Sequence, residues 1–393
     1  MNNSLQKKWD AIVIGAGPAG ALSAFQLAKS GKKVILLDKV QFPRTKVCGC
    51  CINENAQRVL ERAGLGKLLA ESGAVPLNSV RLIDGEIFAE IKLSGGKALS
   101  RSYFDSALIN AAVAEGVHFV SGAIARVLPD AEGFSRVSVL LKSTASEIEG
   151  RVVIVADGLN GHSLEQLPEF ASVVASDSRF GCGTTFAPNS YETGLNSYYR
   201  PGTIYMACQL GGYVGLVVLE DGGIDVACAL DRAFVRKQES LPKAVAAILG
   251  QCNLPLPVPA EQFFARLWQG TDSLTRRRPT IAGPQLFVVG DACGYPEPLT
   301  GEGIAWALES SEAVLPLALS AMDDWSDALA RDWQKIHGRL VHLRQRKSGA
   351  IAYSLRNRFA RRAAIKVLSS FPSFAESIAA SLTQKVKQSA VSK

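Results

Sequence analysis

Gly15-Ala16-Gly17-Pro18-Ala19-Gly20 follows the apolar run Ala11-Ile12-Val13-Ile14 and leads into Ala21 to Ser30. The run reads as a buried strand. Leu22, Phe25 and Leu27 give the next stretch the apolar side of a helix, which Gly31 ends. Lys33 to Leu37 reads as a second strand, closed by Asp38. The glycines therefore occupy a strand–turn–helix junction within a βαβ unit, the context in which such a pattern binds a dinucleotide. Gly15 permits the tight turn, Gly17 lets a pyrophosphate approach the backbone, and Gly20 lets helix and strand pack closely. Phosphate charge would meet free N–H groups at the positive end of a helix dipole. Asp38 stands 18 positions after Gly20, where a carboxylate can accept both ribose hydroxyls of an adenosine. A signal peptide is the competing reading of Lys7-Lys8 and the apolar run. Asp10, the interrupting Gly and Pro, and the acidic strand end argue against it.

The chain of 393 residues is long enough for two domains, or for one carrying a large insertion. Its 47 % hydrophobic and 20 % charged residues are those of a globular protein, which excludes disordered and fibrous classes. No segment carries about eighteen uninterrupted apolar residues, so no membrane-spanning helix is expected. Eight cysteines are too few for a disulfide scaffold at this length and read as cytoplasmic thiols. The net charge of +7 is uneven. Arg344 to Lys393 holds eleven Lys/Arg against one acid, Glu376, so this tail carries +10 and the rest of the chain −3. The basic character belongs to the tail, not to the nucleotide-binding body.

Beyond Asp38 a loop runs from Lys39 to Ile52, and a helix spans about Asn53 to Ala63, ended by Gly64. Asn78 to Leu99 alternates apolar and polar residues around Asp84-Gly85, the pattern of an inserted hairpin. Arg101 opens another helix, Val117 to Val120 is a short strand, and Val127 to Val155 reads as a meander ending in the buried strand Arg151 to Val155. From Phe170 to Ala265 the pattern is antiparallel sheet broken by one helix near Leu241 to Leu249. A parallel strand returns with Gln285 to Val289, followed by a helix from about Gly303 to Leu319 and a helical end. Ligands of such an arrangement sit between the two parts.

Three motifs then fall in register. They are Gly15 to Gly20, Asp157-Gly158 after an apolar strand, and Gly290-Asp291 after another. Together they resemble the FAD-dependent oxidoreductases of the aromatic-hydroxylase fold, which include hydroxylases, halogenases and geranylgeranyl reductases. The resemblance implies an α/β fold: a Rossmann-like FAD-binding domain of the glutathione-reductase βαβ type, an inserted antiparallel β-sheet substrate domain and a helical C-terminus. The expected boundaries are 1–75, 97–168 and 276–340 for the discontinuous FAD-binding domain, 76–96 and 169–275 for the sheet domain, and 341–393 for the basic C-terminal segment. By the same resemblance Asp291 would bond the ribityl chain. Gly301-Glu302-Gly303 would open a helix whose N-terminus stabilises charge on the reduced ring, with Pro298 and Ile304 beside it. Pro18, Ala19, Lys39, Arg44, Cys48, Gly49, Arg101, Asp157 and Gly158 complete the implied cofactor contacts. A helix-flanking surface charge is the bland reading of Arg101, and a structural turn that of Asp157.

The branch is read from smaller signs. The paired-tryptophan motif of the tryptophan halogenases is absent. Gly294 stands where ring hydroxylases commonly carry a histidine. That feature, with Pro43-Arg44-Thr45-Lys46-Val47-Cys48-Gly49, resembles geranylgeranyl reductases, which saturate isolated double bonds of prenyl chains with reduced FAD. The Tyr-x-Trp-x-Phe-Pro element of those enzymes has only Tyr213 left here, in Gly212 to Glu220. The expected function is therefore an FAD-dependent oxidoreductase acting on a prenyl, lipid-like or polyketide-like substrate, by hydride reduction of a carbon–carbon double bond. A flavin monooxygenase hydroxylating an aromatic or polyketide substrate is the alternative within the fold. A non-catalytic flavin electron carrier is the alternative outside it.

Cys48 and Tyr213 are the candidates for catalytic groups. Cys48, Cys50 and Cys51 lack a fourth ligand and metal spacing, so no metal is expected. Cys293 reads as a small buried residue. With one dinucleotide fingerprint only, transient NAD(P)H, ferredoxin or another flavoprotein all fit as electron donor. The C-terminal stretch Leu355 to Leu368 interleaves Arg356, Arg358, Arg361, Arg362 and Lys366 with apolar residues. It reads either as an interfacial helix at the inner face of a membrane or as a solvated helix packed on the body. No nucleic-acid motif accompanies it.

Overall fold

The computed structural model describes residues 7–129, 135–188, 198–297 and 299–383. Its first layer is a parallel sheet with the strand order Leu286–Val288, Thr144–Val155, Lys8–Ile14, Val34–Asp38, His118–Ser121. Ile12, Val13, Ile35, Leu36 and the run Val152 to Val155 are all 0 % exposed. Such runs are the mark of strands covered on both faces. Each full side-chain burial contributes about 1.5–3 kcal/mol, so this sheet dominates the core. Helices Pro18–Lys29, Arg101–Ala114 and Gly303–Asp323 cover it. Trp333, fully buried, donates its indole N–H to Val288 O at 3.0 Å and locks helix Asp327–His337 beneath the edge of the sheet.

The hairpin read from Asn78 onward is present as strands Ser79–Asp84 and Ile87–Lys92. It does not stand alone. It completes a seven-stranded sheet, ordered Gln269–Ser273, Phe180–Phe186, Ile224–Leu230, Gly212–Val218, Thr203–Gln209, Ser79–Asp84, Ile87–Lys92. The expectation of a purely antiparallel sheet is corrected at one seam: Thr203–Gln209 pairs parallel with Ser79–Asp84. The two strands come from distant segments, so no tight turn forces them antiparallel. The single helix expected in this region is also corrected. Arg232–Lys237 and Ala260–Ala265 flank Leu241–Gln251. Both are short, and too brief to carry a periodic signal.

Helix Glu54–Ala63 starts on Asn53, whose side chain accepts from Ala56 N, and ends at Gly64 in the left-handed region, φ 89°. Helix Gly303–Asp323 runs past the expected end and carries Pro316 inside it.

The C-terminal segment is helical, with helices Leu343–Ser354, Arg358–Ser370 and Pro372–Thr383. Arg358–Ser370 packs on the hairpin strand Ile87–Lys92. Arg361, 1 % exposed, donates Nε to Asp84 Oδ2 at 2.8 Å, and Asp84 Oδ1 accepts from Gln209 at 3.0 Å. A buried ion pair broken on one side leaves an uncompensated charge, at a cost of about 3–5 kcal/mol. Arg361→Ala is therefore expected to release this helix from the sheet. Hydrogen exchange checks it: amides of Arg358–Ser370 should lose protection while those of Lys8–Ile14 keep theirs.

Candidate functional site

The glycine turn is built by contact. Gly15 has φ +99° and its N–H donates to Leu37 O at 2.7 Å. A Cβ on Gly20 would lie 1.8 Å from Gly15 O, so helix and turn cross at a distance only glycine allows. Gly17 differs. It caps helix Pro18–Lys29 with φ −74°, a value open to any residue. The nearest atoms to a Cβ there are the guanidinium nitrogens of Arg44 at 3.5 Å and Arg101 at 3.7 Å. The position is open to ligand and bordered by two cations. Pro18 takes the first helical turn, where its missing N–H costs nothing. Ala19 is pinned from behind, its carbonyl accepting from Ser311 Oγ at 2.7 Å.

The surrounding charges are buried and cross-linked. Asp38 Oδ2 accepts from Ala16 N at 2.7 Å, and Oδ1 from Val40 N at 2.9 Å. Arg44 lies 3.6 Å from Asp38 and 3.5 Å from Asp105. Arg101 is 6 % exposed, so the surface-charge reading is corrected. It sits on Asp105 through two bonds of 2.8 Å, one helical turn away. Asp105 itself is fully buried. Lys39 turns elsewhere, donating to Asn160 O at 3.2 Å.

Lys46 joins this group and was not among the residues expected from sequence. Its Nζ comes within 3.2 Å of where a Cβ on Gly158 would lie. Burial, with the nearby charge of Arg101, pushes its amine below the usual lysine range. Asp291 faces it, raised by burial and held back by Lys46 and Arg101. The signal for Lys46 was alternation. In the extended loop, Arg44, Lys46 and Cys48 share one side, while Thr45 accepts from Gln269 at 2.9 Å and Val47 approaches Gly183 on the other.

Cys48 Sγ accepts from Cys50 N at 3.4 Å. The side-chain hydrogen bond with Cys50, and the Arg101 charge, pull its thiol down to about 6. Cys50 moves the opposite way, pushed well up by the same bond and by burial. Cys51 donates to Gly49 O at 2.9 Å and is raised by burial. All eight thiols are free, and no metal-holding cluster occurs among the described residues. Of the three loop thiols, Cys48 is the one whose ionisation its surroundings favour. A titration of thiolate absorbance, read as the difference between the wild type and Cys48→Ser, should show a midpoint near pH 6. A midpoint at the ordinary cysteine value would contradict this geometry.

The remaining motifs frame the cradle. Asp157 accepts from Ser163 N at 3.0 Å and Ser163 Oγ at 2.6 Å, which holds the turn at Gly158, φ +75°. Gly290, φ +63°, passes so close to the first helix that a Cβ would lie 2.9 Å from Ala19 Cβ. Gly301, φ +69°, precedes the helix start at Gly303, and Ile304 is buried. The Glu302 carboxylate faces away, accepting from Ser348 Oγ at 3.2 Å with Arg344 at 3.9 Å. Any contact from Gly301-Glu302-Gly303 to a ligand is therefore through backbone. Pro298 lies outside the described residues.

Across from this frame stands an apolar wall. Met206, Cys208, Tyr213, Ala229 and Leu274 are buried together, with Ile204, Leu159, Tyr295 and Leu299 packed against them. Among the described residues the Tyr213 hydroxyl has no hydrogen-bond partner, and burial pushes its pKa well up. The Arg179 guanidinium lies 5.9 Å from its ring centroid, and Glu297, 4 % exposed, accepts from Arg179 at 2.9 Å. Arg276 to Arg278 and Cys293 to Pro296 line a separate open cleft of about 420 Å³, whose lining includes neither the glycine turn nor Tyr213.

The arrangement fits FAD. Gly17 offers a cradle that a side chain would fill, two guanidinium groups border it, and the Asp291 carboxyl stands within the field of Lys46 and Arg101. Known proteins agree. The chain is 27 % identical over 355 residues to menaquinone reductase of Mycobacterium tuberculosis, covering 85 % of this chain and 80 % of that one. It is 24 % identical over 329 residues to digeranylgeranylglycerophospholipid reductase of Methanococcus vannielii, covering 78 % and 75 %. A flavoprotein/dehydrogenase from Cytophaga hutchinsonii superposes with TM-score 0.79 at 17 % identity, over 97 % of this chain and 94 % of that one. The p-nitrophenol 4-monooxygenase of Pseudomonas putida superposes with TM-score 0.76 at 14 % identity, over 96 % and 98 %. Residues 8–315 match the family described as the FAD binding domain, and the chain belongs to this family of FAD-dependent oxidoreductases.

Proposed function

We propose that the protein reduces a carbon–carbon double bond in a polyisoprenoid lipid or an isoprenoid quinone, with FAD as its resident cofactor. The observation that carries this reading is the apolar wall of Met206, Cys208, Tyr213, Ala229 and Leu274 beside the Gly290 to Gly303 segment. The Tyr213 hydroxyl is held neutral by burial, as is that of Tyr295 packed against the wall. A phenol hydroxylase needs a group to take the phenol proton; a saturating enzyme needs an apolar slot and one proton donor. The relatives named as reductases of menaquinone and of a digeranylgeranyl lipid support the same class.

When bound and reduced, FAD would supply the hydride for one alkene carbon. The protein's own tasks are then positioning and charge. In this reading the Gly15 to Gly17 turn, Arg44 and Arg101 hold the pyrophosphate, Gly20 lets helix and turn pack behind it, Asp38 holds the ribose, and Asp291 the ribityl chain. Lys46 places positive charge between Asp291 and Gly158. Tyr213, neutral and unpartnered, is the proton donor for the second carbon. Cys48, whose thiolate the Arg101 charge favours, is not the donor in this reading.

The test is anaerobic reduction of the FAD-loaded protein, followed by mixing with a menaquinone or with geranylgeranyl lipid in detergent. Reoxidation by the lipid faster than by dissolved oxygen supports the reading. Indifference to both lipids, with fast reaction with oxygen, contradicts it. Tyr213→Phe is expected to slow lipid-driven reoxidation by roughly 10²–10⁴-fold, the range for a lost proton donor, while FAD content stays unchanged.

A further inference from the structure

We propose that the outward face of the C-terminal helices is a docking surface for an anionic lipid bilayer. Tyr353, Phe359, Phe371 and Phe374 are 71 %, 83 %, 61 % and 54 % exposed, and Val367 is 44 % exposed. Five large apolar side chains therefore reach solvent within one short stretch. So many large apolar side chains exposed in one segment suit an interaction surface better than ordinary surface.

The face is fixed by what lies behind it. Arg361 and Ile365, each 1 % exposed, turn the inner side of helix Arg358–Ser370 onto the sheet, with Arg361 on Asp84. Phe359, Lys366 and Val367 are thereby left on the outside, joined by exposed Arg358. Between Arg344 and Ala375 the chain holds no acidic residue. Aromatic rings interleaved with cations suit the headgroup region of a bilayer, where rings enter the acyl boundary and cations meet phosphate. Charge complementarity selects this occupant. A second copy would bring the same positive face and repel it. A nucleic acid would meet the cations but leave Val367 and the phenylalanines without apolar burial.

The face also lies one ion-pair chain from the apolar wall. Arg356, between the first two C-terminal helices, donates to Glu297 Oε2 at 2.6 Å. Glu297 Oε1 accepts from Arg179, which stands over Tyr213. A lipid entering from a docked bilayer would arrive beside that wall. This placement rests on the lipid reading of the preceding section; the docking itself does not.

The experiment is co-sedimentation of the full-length FAD-loaded protein with vesicles of phosphatidylcholine alone or with phosphatidylglycerol. The wild type should pellet with the anionic vesicles and be released by high salt. The triple variant F359S/F371S/F374S, altered only at exposed positions, should bind at least roughly tenfold more weakly. So should R358E/K366E. Hydrogen exchange on vesicles should protect Arg358–Ser370 and Pro372–Thr383. Failure of the wild type to bind anionic vesicles, or undiminished binding by the triple variant, overturns the proposal. So does a wild-type dimer that the triple variant loses. Lipid reduction in detergent separates the two claims. Vesicle binding without any lipid reduction overturns the proposed function only; reduction without vesicle binding overturns the docking face only.

Discussion

Gly17→Val is expected to give a folded protein whose affinity for FAD has fallen by roughly a hundredfold or more. The position has φ −74° and ψ −176°, which a valine adopts readily. A Cβ there meets no backbone: its nearest neighbours are the ends of two arginine side chains, at 3.5 and 3.7 Å. The protein should therefore tolerate the change. In the proposed reading the space it fills is the one the phosphates would take, in front of a helix N-terminus and bordered by Arg44 and Arg101. Losing two charge-assisted hydrogen bonds at about 1.5–3 kcal/mol each corresponds to a factor of a hundred or more. Flavin absorbance per protein and fluorescence titration with FAD measure it, and circular dichroism reports the fold. Full FAD occupancy in Gly17→Val would show that the dinucleotide lies elsewhere. Gly20→Ala is the contrasting case. Its Cβ would stand 1.8 Å from Gly15 O, so the fold is lost together with the cofactor.

Asp105→Asn is expected to destabilise the protein by about 3–5 kcal/mol, the cost of stranding a buried charge. Asp105 is 0 % exposed, accepts both bonds from Arg101 and stands 3.5 Å from Arg44. Without its charge two guanidinium groups repel each other beside Gly17. Urea denaturation of the FAD-free protein gives the stability change directly. Added FAD should recover part of the loss, because its pyrophosphate brings negative charge to the same two arginines. An unchanged urea midpoint would mean that Arg101 is compensated by some group other than Asp105.

The parallel half of the fold was legible because its signals are local. The run Ala11 to Ile14, the glycine turn and Asp38 lie within one short stretch, and a parallel strand buried on both faces reads as unbroken apolar residues. The seven-stranded sheet was less legible. Its parallel seam between Thr203–Gln209 and Ser79–Asp84 joins segments over a hundred residues apart, and no local pattern encodes that pairing. The site divides the same way. Arg44 and Arg101 stand out through motif position. Asp105 does not, although its spacing of one helical turn from Arg101 offered the clue. Glu297 was invisible, because its partners Arg179 and Arg356 come from two other regions of the chain. The C-terminal helix read as amphipathic from the start. Which of its arginines is buried became clear only with Asp84 placed opposite Arg361.

Arg101 links the cofactor cradle to the cysteine loop, standing on Asp105 and beside Cys48. Arg101→Met should therefore move the Cys48 titration upward from about 6, because the arginine charge helps to hold it down. The sign is fixed. A thiol whose folded value is depressed loses its thiolate as the pH falls through that value, and removing a nearby cation shifts the loss to higher pH.

Product analysis tests the central claim most directly. The FAD-loaded protein is reduced and allowed to turn over a menaquinone or geranylgeranyl lipid under ¹⁸O-labelled oxygen, and the lipid is read by mass spectrometry. The account predicts a product whose isoprenoid chain has gained two hydrogens, located by fragmentation, and which carries no label. A product carrying ¹⁸O would assign the protein to hydroxylation and contradict it.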